Sequence, residues 1–519
     1  MRPSLTLLAA AALAAGCHGR SYGPAQGRPA TAVHGTEIDR TTPPDNTESY
    51  AALDENPFLS VRANPLSTFS IDVDRASYAN VRRFIVNGKR PPKDAVRIEE
   101  LVNYFPYAYA EPEGDEPLAI TTELARAPWH ADHLLLRVGL KGRPVDMAAA
   151  PRSNLVFLLD VSGSMMPANK LPLLQQSLRL LVEQLRADDR VAIVVYAGSA
   201  GLVLPSTPGS EKSAILEAID QLEAGGSTAG GEGLALAYRV AAEHHIPGGN
   251  NRVILATDGD FNVGPSSDAE MIRLIEDKRR QGTFLTVLGF GMGNLKDSKL
   301  EGIADRGNGN YAYIDSELEA RKVLVSEMGG TLLTIAKDVK LQLEFNPARV
   351  AAYRLIGYEN RLLRAEDFAD DARDAGELGA GHTVTALYEL IPAGAPDAGR
   401  VRGTDSLRYQ TTTVRPDAAA SQELVTVKLR WKAPEEETSR LLERAVIHEV
   451  VAPSVDFRFA AAVAAWGMLL RDSEHRGTAT FQSVLALAEG ALGGDPHGYR
   501  REFVQLVARS GEVKGLAAK

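Results

Sequence analysis

Leu155-Val156-Phe157-Leu158-Leu159-Asp160-Val161-Ser162-Gly163-Ser164-Met165 is an unbroken run of large apolar residues that ends abruptly in an acid and two serines. A strand with one wet face alternates apolar and polar residues. An unbroken run needs cover on both faces, as in a parallel sheet lined by helices. Comparable runs occupy 191–196, 253–256 and 284–288, and helical periodicity fills 171–185, 212–222, 233–244 and 269–281 between them. Strand and helix in alternation predict an α/β fold with a doubly wound parallel sheet over 151–336. A short strand at 310–314 and a helix at 318–333 close that unit.

The rhythm changes on either side. Residues 58–150 read as an N-terminal α+β flanking region, with a strand at 68–73, a helix at 75–86 capped by Asp74, a second helix at 94–105, and strands at 118–124 and 134–140. Residues 337–433 read as a β-rich domain with strands at 339–345, 350–356, 384–390 and 424–431. Residues 434–519 read as a C-terminal helical region. Neither set of flanking strands is sufficient alone, so the 118–140 strands are expected to pair with those of 339–431 in one sandwich, with the C-terminal helices packed on it. No internal repeat or heptad array is present.

The chain has 519 residues, with 57 basic and 67 acidic side chains, for a formal charge of −10. That length suits several folded units, and the 44% hydrophobic and 24% charged fractions are those of a globular protein. The acidic balance argues against a nucleic-acid partner, which calls for a basic stripe to displace phosphate counterions. With a single cysteine, Cys17, no internal disulfide, CxxC redox pair or cysteine-based metal cluster can form.

Cys17 follows a positive Met1-Arg2, an apolar stretch over 5–15 and small residues Ala14-Ala15-Gly16. The stretch is too short to span a bilayer and has the layout of a secretory signal. It resembles a bacterial lipoprotein signal. The resemblance implies a signal peptide over 1–16, lipidation at Cys17, and a membrane anchor holding the mature protein in the cell envelope. His18, not Asp, after the cysteine resembles an outer-membrane address, facing the periplasm. Residues 17–57, rich in Gly, Pro and Thr, read as a flexible linker.

In open parallel sheets, ligands bind outside the carboxyl ends of the strands. The first central strand delivers Asp160, Ser162 and Ser164 to that edge, alternate residues of an extended loop turning the same way. The 253–256 strand delivers Thr257-Asp258-Gly259, and the Gly-rich loop 225–231 carries Thr228. Two carboxylates and three hydroxyls form a set of hard oxygen donors that favours Mg²⁺, Mn²⁺ or Ca²⁺ over zinc or copper.

This D-x-S-x-S pattern, followed by a Thr in a Gly-rich loop and then T-D-G, resembles the metal-ion-dependent adhesion site of von Willebrand factor type A domains, over about 152–335. The resemblance implies that Asp160, Ser162, Ser164, Thr228 and Asp258 hold a divalent cation, Mg²⁺ first. It further implies that an Asp or Glu of a protein partner completes the cation's shell, which makes the metal an affinity element in a non-enzymatic adhesion module. The flanking stretch 65–74 resembles a bacterial group of lipid-anchored type A proteins.

Other readings compete. Asp160 and the two serines also suit helix capping ahead of residue 171. The 258–269 segment fails as an EF-hand, with Val263 where Gly is needed and Ala269 where Glu is needed. No G-x-S-x-G elbow surrounds Ser162 or Ser164, and the loop at Gly225 lacks the Gly-Lys pair of a P-loop. A metal-assisted hydrolase of an envelope substrate would use the same cation as a Lewis acid but lacks a credible general base. A structural scaffold with a stabilising metal is the remaining alternative.

Overall fold

The computed structural model describes residues 48–71, 74–146, 150–226, 230–259, 261, 268–293, 295–327, 333–373, 375–401 and 413–516. The expected signal peptide, Cys17 and most of the expected linker lie outside the described residues, as does Thr228. The linker was expected to reach residue 57, but the chain is already docked at Glu48. Its carboxylate pairs with the buried Arg83 at 2.6 Å, and Ser49 N–H donates to the Leu295 carbonyl at 3.1 Å.

The N-terminal region comprises β1 (Leu59–Ser60), β2 (Leu66–Ser70), α1 (Ala76–Val86), α2 (Ile98–Asn103), β3 (Leu118–Ala127) and β4 (His130–Gly142). The helix expected over 94–105 is broken into a 3₁₀ turn, Lys93–Ala95, and α2. Ser77 holds the break: its hydroxyl donates to the Ala95 carbonyl at 2.7 Å and accepts from Arg97 N–H at 2.9 Å. Asp74 does not cap α1, whose N-cap is Arg75. The Asp74 carboxylate instead accepts from Tyr311 N–H at 2.9 Å and pairs with Arg361 at 3.3 Å.

The central unit runs β5 (Ser153–Asp160), α3 (Leu171–Gln184), β6 (Arg190–Tyr196), β7 (Ala200–Pro208), α4 (Lys212–Asp220), α5 (Gly230–Glu243), β8 (Asn250–Thr257), α6 (Asp268–Arg280), β9 (Thr283–Phe290), α7 (Asp297–Arg306), β10 (Tyr311–Ile314) and α8 (Glu317–Arg321), the last continuing into a π turn, Lys322–Ser326. Its sheet has the order β10-β9-β8-β5-β6-β7. All pairs are parallel except the antiparallel edge strand β7. The two-residue period of β5 explains the run that opens it. Leu155, Phe157 and Leu159 pack with α3, α4 and α8, while Val156 and Leu158 pack with α5, α6 and α7. Helix α5 comes close to the sheet at Gly233, where a Cβ would lie 2.9 Å from Tyr196 Cβ and 3.0 Å from Leu158 Cδ1.

The remainder comprises β11 (Thr334–Phe345), β12 (Val350–Ile356), β13 (Leu362–Leu363), β14 (Gly376–Gly379), β15 (Thr383–Pro392), α9 (Pro416–Ala420), β16 (Glu423–Lys432), β17 (Arg440–Ile447), α10 (Val455–Arg471), α11 (Phe481–Glu489) and α12 (Tyr499–Ser510). The region from 434, expected to be helical, therefore opens with a strand. One antiparallel sheet has the order β1-β12-β15-β4-β3, with Leu136 opposite Tyr388 and Leu140 opposite Val384. A second has the order β13-β2-β11-β16-β17, with β14 also on β11. Leu136, Val138 and Tyr388 of the first share a buried core with Phe69, Leu341 and Leu343 of the second. Helix α10 is apolar on nearly every side, so it is enclosed: Trp466 and Phe459 pack with Tyr104 and with Phe503 of α12.

Candidate metal centre

The carboxyl ends of β5 and β8 lie side by side, with Leu159 opposite Ala256 in the parallel register. Asp160 closes β5 with no solvent exposure. Its Oδ1 accepts from Ser162 N–H at 2.9 Å and from the Ser162 hydroxyl at 2.6 Å. The Ser162 and Ser164 hydroxyls lie 3.1 Å apart. Oδ2 accepts from the Tyr196 hydroxyl at 3.2 Å and from the Thr257 hydroxyl at 3.3 Å. Ser162 is buried and Ser164 exposed, so the set opens to solvent on the serine side.

Burial pushes the Asp160 carboxyl above its ordinary value, and the neighbouring Asp258 carboxylate pushes the same way, while the Ser162 hydrogen bonds oppose them. Burial, with the Asp160 charge beside it, also drives the Tyr196 hydroxyl well above the ordinary tyrosine range, so it remains a donor.

The structure brings Asp160, Ser162, Ser164 and Asp258 to one edge. Thr228 lies outside the described residues, but the chain leading to it is tied to the same loop. Gly225 N–H donates to the Val161 carbonyl at 2.7 Å, and Gly163 N–H donates to the Gly226 carbonyl at 3.1 Å. The helix-capping alternative does not hold for α3, whose N-cap is Lys170.

Sequence reasoning missed Lys170 and Tyr196, and placed Thr257 at the edge without giving its hydroxyl a role. Lys170 is buried and extends its ammonium to Asp258 Oδ2 at 2.7 Å. A cation at a helix N-terminus is opposed by the helix dipole, and that local misfit was a signal in the sequence that Lys170 answers to a neighbouring anion. Tyr196 carried no such signal, because it ends an apolar strand as a residue of high β propensity.

The donors are all oxygens, and both carboxylates are removed from water, which suits a hard divalent cation and not a soft one. Asp160 and Asp258 would supply the charge, and the serine hydroxyls would add neutral positions on the open side.

Comparison with known proteins agrees with this architecture. The family model described as "von Willebrand factor type A domain" matches residues 154–327, and one described as "von Willebrand factor" matches 44–137. A third, described as "Uncharacterized protein YfbK, C-terminal", matches 330–513. The Escherichia coli (strain K12) protein described as "Uncharacterized protein YfbK" is 47% identical over 478 residues, which cover 91% of this chain and 82% of that protein. The heavy chain H3 of the bovine inter-alpha-trypsin inhibitor is 27% identical over 202 residues, covering 37% of this chain and 22% of its own. Among solved structures, a von Willebrand factor type A protein from Catenulispora acidiphila aligns with a TM-score of 0.42 at 16% identity, covering 79% of this chain and 93% of that one. A protein that shares nearly half its residues with YfbK along nearly its whole length, around a type A domain, belongs to the YfbK family of von Willebrand factor type A domain proteins.

Proposed function

We propose that this protein is a non-enzymatic binding module of the cell envelope, which grips a protein partner through a divalent cation at the edge formed by β5 and β8. Asp160, Ser162, Ser164, Thr228 and Asp258 hold the cation as a metal-ion-dependent adhesion site, with Mg²⁺ preferred. The partner presents an Asp or Glu carboxylate to the cation. The observation that carries this reading is the oxygen cluster itself, in which the Asp160 carboxylate and the Ser162 and Ser164 hydroxyls stand within 2.6 and 3.1 Å of one another in sequence order.

The surroundings support contact with a partner. Met166, next to the site loop, is 68% exposed, and Met292, beside the Gly291 that Lys170 packs against, is 48% exposed. Flexible, polarisable methionines around an ionic centre suit a surface that adapts to a partner. Anchorage is by lipid at Cys17, on an outer membrane and facing the periplasm.

The test is calorimetric titration of Mg²⁺ into the mature chain and its Asp160→Ala variant, with circular dichroism to confirm the fold. Asp160→Ala is expected to abolish saturable Mg²⁺ binding, and envelope proteins captured in Mg²⁺ are expected to be released by EDTA. Unchanged Mg²⁺ affinity in the folded variant would refute the assignment.

A further inference from the structure

A second cluster stands on the flanking sandwich, on elements apart from the type A domain. At the tip of the β3–β4 hairpin the register shifts between Arg126 and Ala127. That irregularity lets His130 and His133 stack, with ring centroids 3.5 Å apart and planes inclined by 16°. Asp397, in the loop that leaves β15, brings its Oδ2 to 2.8 Å from His133 Nε2 and 4.0 Å from His130 Nε2. One ligand atom from each of the three residues lies within 4.8 Å of the others.

The support around His133 is ordered. Its Nδ1 lies 2.6 Å from Glu389 Oε1, and Glu389 Oε2 accepts from the Arg354 guanidinium at 2.8 Å. Glu389 and Arg354 are both buried. A carboxylate held against Nδ1 fixes a proton there and orients the ring as around metal-bound histidines generally, while Nε2, which donates to Asp397 Oδ2 at 2.8 Å, ligates once the incoming ion displaces its proton. Asp397 Oδ1 and His130 Nδ1 are buried atoms with no hydrogen-bond partner. Asp397 thus has an acceptor to spare, on the carboxylate that faces both rings.

We propose that His130, His133 and Asp397 form a second metal site, which takes a transition-metal ion of the Zn²⁺ class and is distinct from the oxygen-donor site. Two imidazole nitrogens and one carboxylate oxygen are the donors that Zn²⁺ accepts, and three protein ligands leave a position for water. The side chain of His130 is 38% exposed, so its ring can turn from the stack toward a shared ion. Bound metal would fasten the loop after β15 to the β3–β4 hairpin.

The test is a Zn²⁺ titration of the full mature chain against a chromophoric chelator, in saturating Mg²⁺ so that the oxygen-donor site is filled. One Zn²⁺ equivalent is expected, retained in Asp160→Ala and weakened at least tenfold in His130→Ala and in Asp397→Asn. Glu389→Gln is expected to weaken it about 10- to 100-fold through loss of the imidazole's orientation. Co²⁺ is expected to give a visible absorption band in the wild type that His130→Ala lacks. His130→Ala alters a partly exposed ring, and circular dichroism checks that it folds. Equal Zn²⁺ affinity in the folded His130→Ala variant, or no Zn²⁺ uptake by the wild type, overturns the proposal. Loss of the zinc equivalent in Asp160→Ala also overturns it, since that result assigns the ion to the oxygen site.

Discussion

Replacing Lys170 with Met separates the roles of the ammonium and of the cation at the oxygen-donor edge. The Lys170 ammonium lies 2.7 Å from Asp258 Oδ2, with side-chain exposures of 7% and 0%. At an effective dielectric near 20, that separation corresponds to about 6 kcal/mol of gross attraction. Desolvation of both groups offsets much of it. Removing one member of a buried pair nevertheless costs about 3–5 kcal/mol, because the surviving charge loses its counter-ion. Lys170→Met keeps the aliphatic stem that packs against Gly291 and deletes only the charge. In EDTA the variant is therefore expected to lose about 3–5 kcal/mol of stability. In Mg²⁺ the cation takes over the neutralisation of Asp258 and the loss shrinks. Recovery of about 2 kcal/mol on binding corresponds to about 30-fold tighter Mg²⁺, since each 1.4 kcal/mol is tenfold. Urea midpoints in EDTA and in saturating Mg²⁺, with calorimetric Mg²⁺ titrations of both proteins, read the two halves of this linkage. Equal destabilisation in both buffers, or weaker Mg²⁺ binding by the variant, would show that the ammonium does not share its site with the cation.

Three further outcomes follow from the packing and the buried charges. Gly233→Ala places a methyl group 2.9 Å from Tyr196 Cβ and is expected to cost about 1–3 kcal/mol, read as a lowered thermal midpoint; an unchanged midpoint would mean that α5 has room to retreat. Arg97→Ala strips the buried Asp297 and Glu100 of their guanidinium, 2.6 Å away for Asp297, and is expected to destabilise by about 3–5 kcal/mol; a loss below about 1 kcal/mol would show that the acids simply take up protons. Burial raises the Glu327 carboxyl, but Arg75 and Lys322 outweigh it and pull it from its ordinary 4.5 to about 2. Its stabilisation is therefore complete above pH 4.5 and lost as pH falls toward 2. With the side chain 22% exposed, solvent screening trims the contribution to about 2 kcal/mol; the gap between wild type and Glu327→Gln is expected to close over that acid range, and a gap independent of pH would refute the assignment.

The α/β class was legible because β5, β6, β8 and β9 are covered on both faces, so their apolar runs carry the signal without any partner strand. Edge strands carry less. Leu202 and Val203 of β7 are 47% and 42% exposed, and β17 mixes Arg440, Glu443 and Arg444 with leucines. Neither strand shows a clean alternation, and the sequence reading passed over both. The oxygen donors were legible where one turn of chain carries them, as in Asp160, Ser162 and Ser164. Lys170 and Tyr196 reach that site only through folding. The histidine cluster is an extreme of the same kind: the partners of His133 lie 256 and 264 residues along the chain, and a pair of histidines three apart has no meaning until that loop closes on it.

The buried charges that join the type A domain to the flanking unit also bear on how its oxygen-donor edge is held. Arg82 of α1 donates to Asp315 at 2.8 Å, to Glu319 of α8 at 2.7 Å and to Glu502 of α12 at 3.1 Å. One guanidinium thus joins the end of β10, the helix that closes the central unit and a C-terminal helix. Arg361 does the same for Asp74, Glu301 and Asp305. Pairs of this kind add little net stability, since desolvation offsets attraction, yet separating them is costly. They are therefore better suited to fixing an orientation than to holding the fold together. Helix α8 packs beside α3 in the same core, and the residue that caps α3 is Lys170, whose ammonium touches Asp258. A shift of α8 large enough to disturb α3 must either strand Glu319 from Arg82 or carry α12 along. The chain of contacts from the oxygen-donor edge to the C-terminal helices is thus continuous through α3, α8 and Arg82, and the Tyr104 hydroxyl adds a second buried hydrogen bond to Glu319 at 2.8 Å.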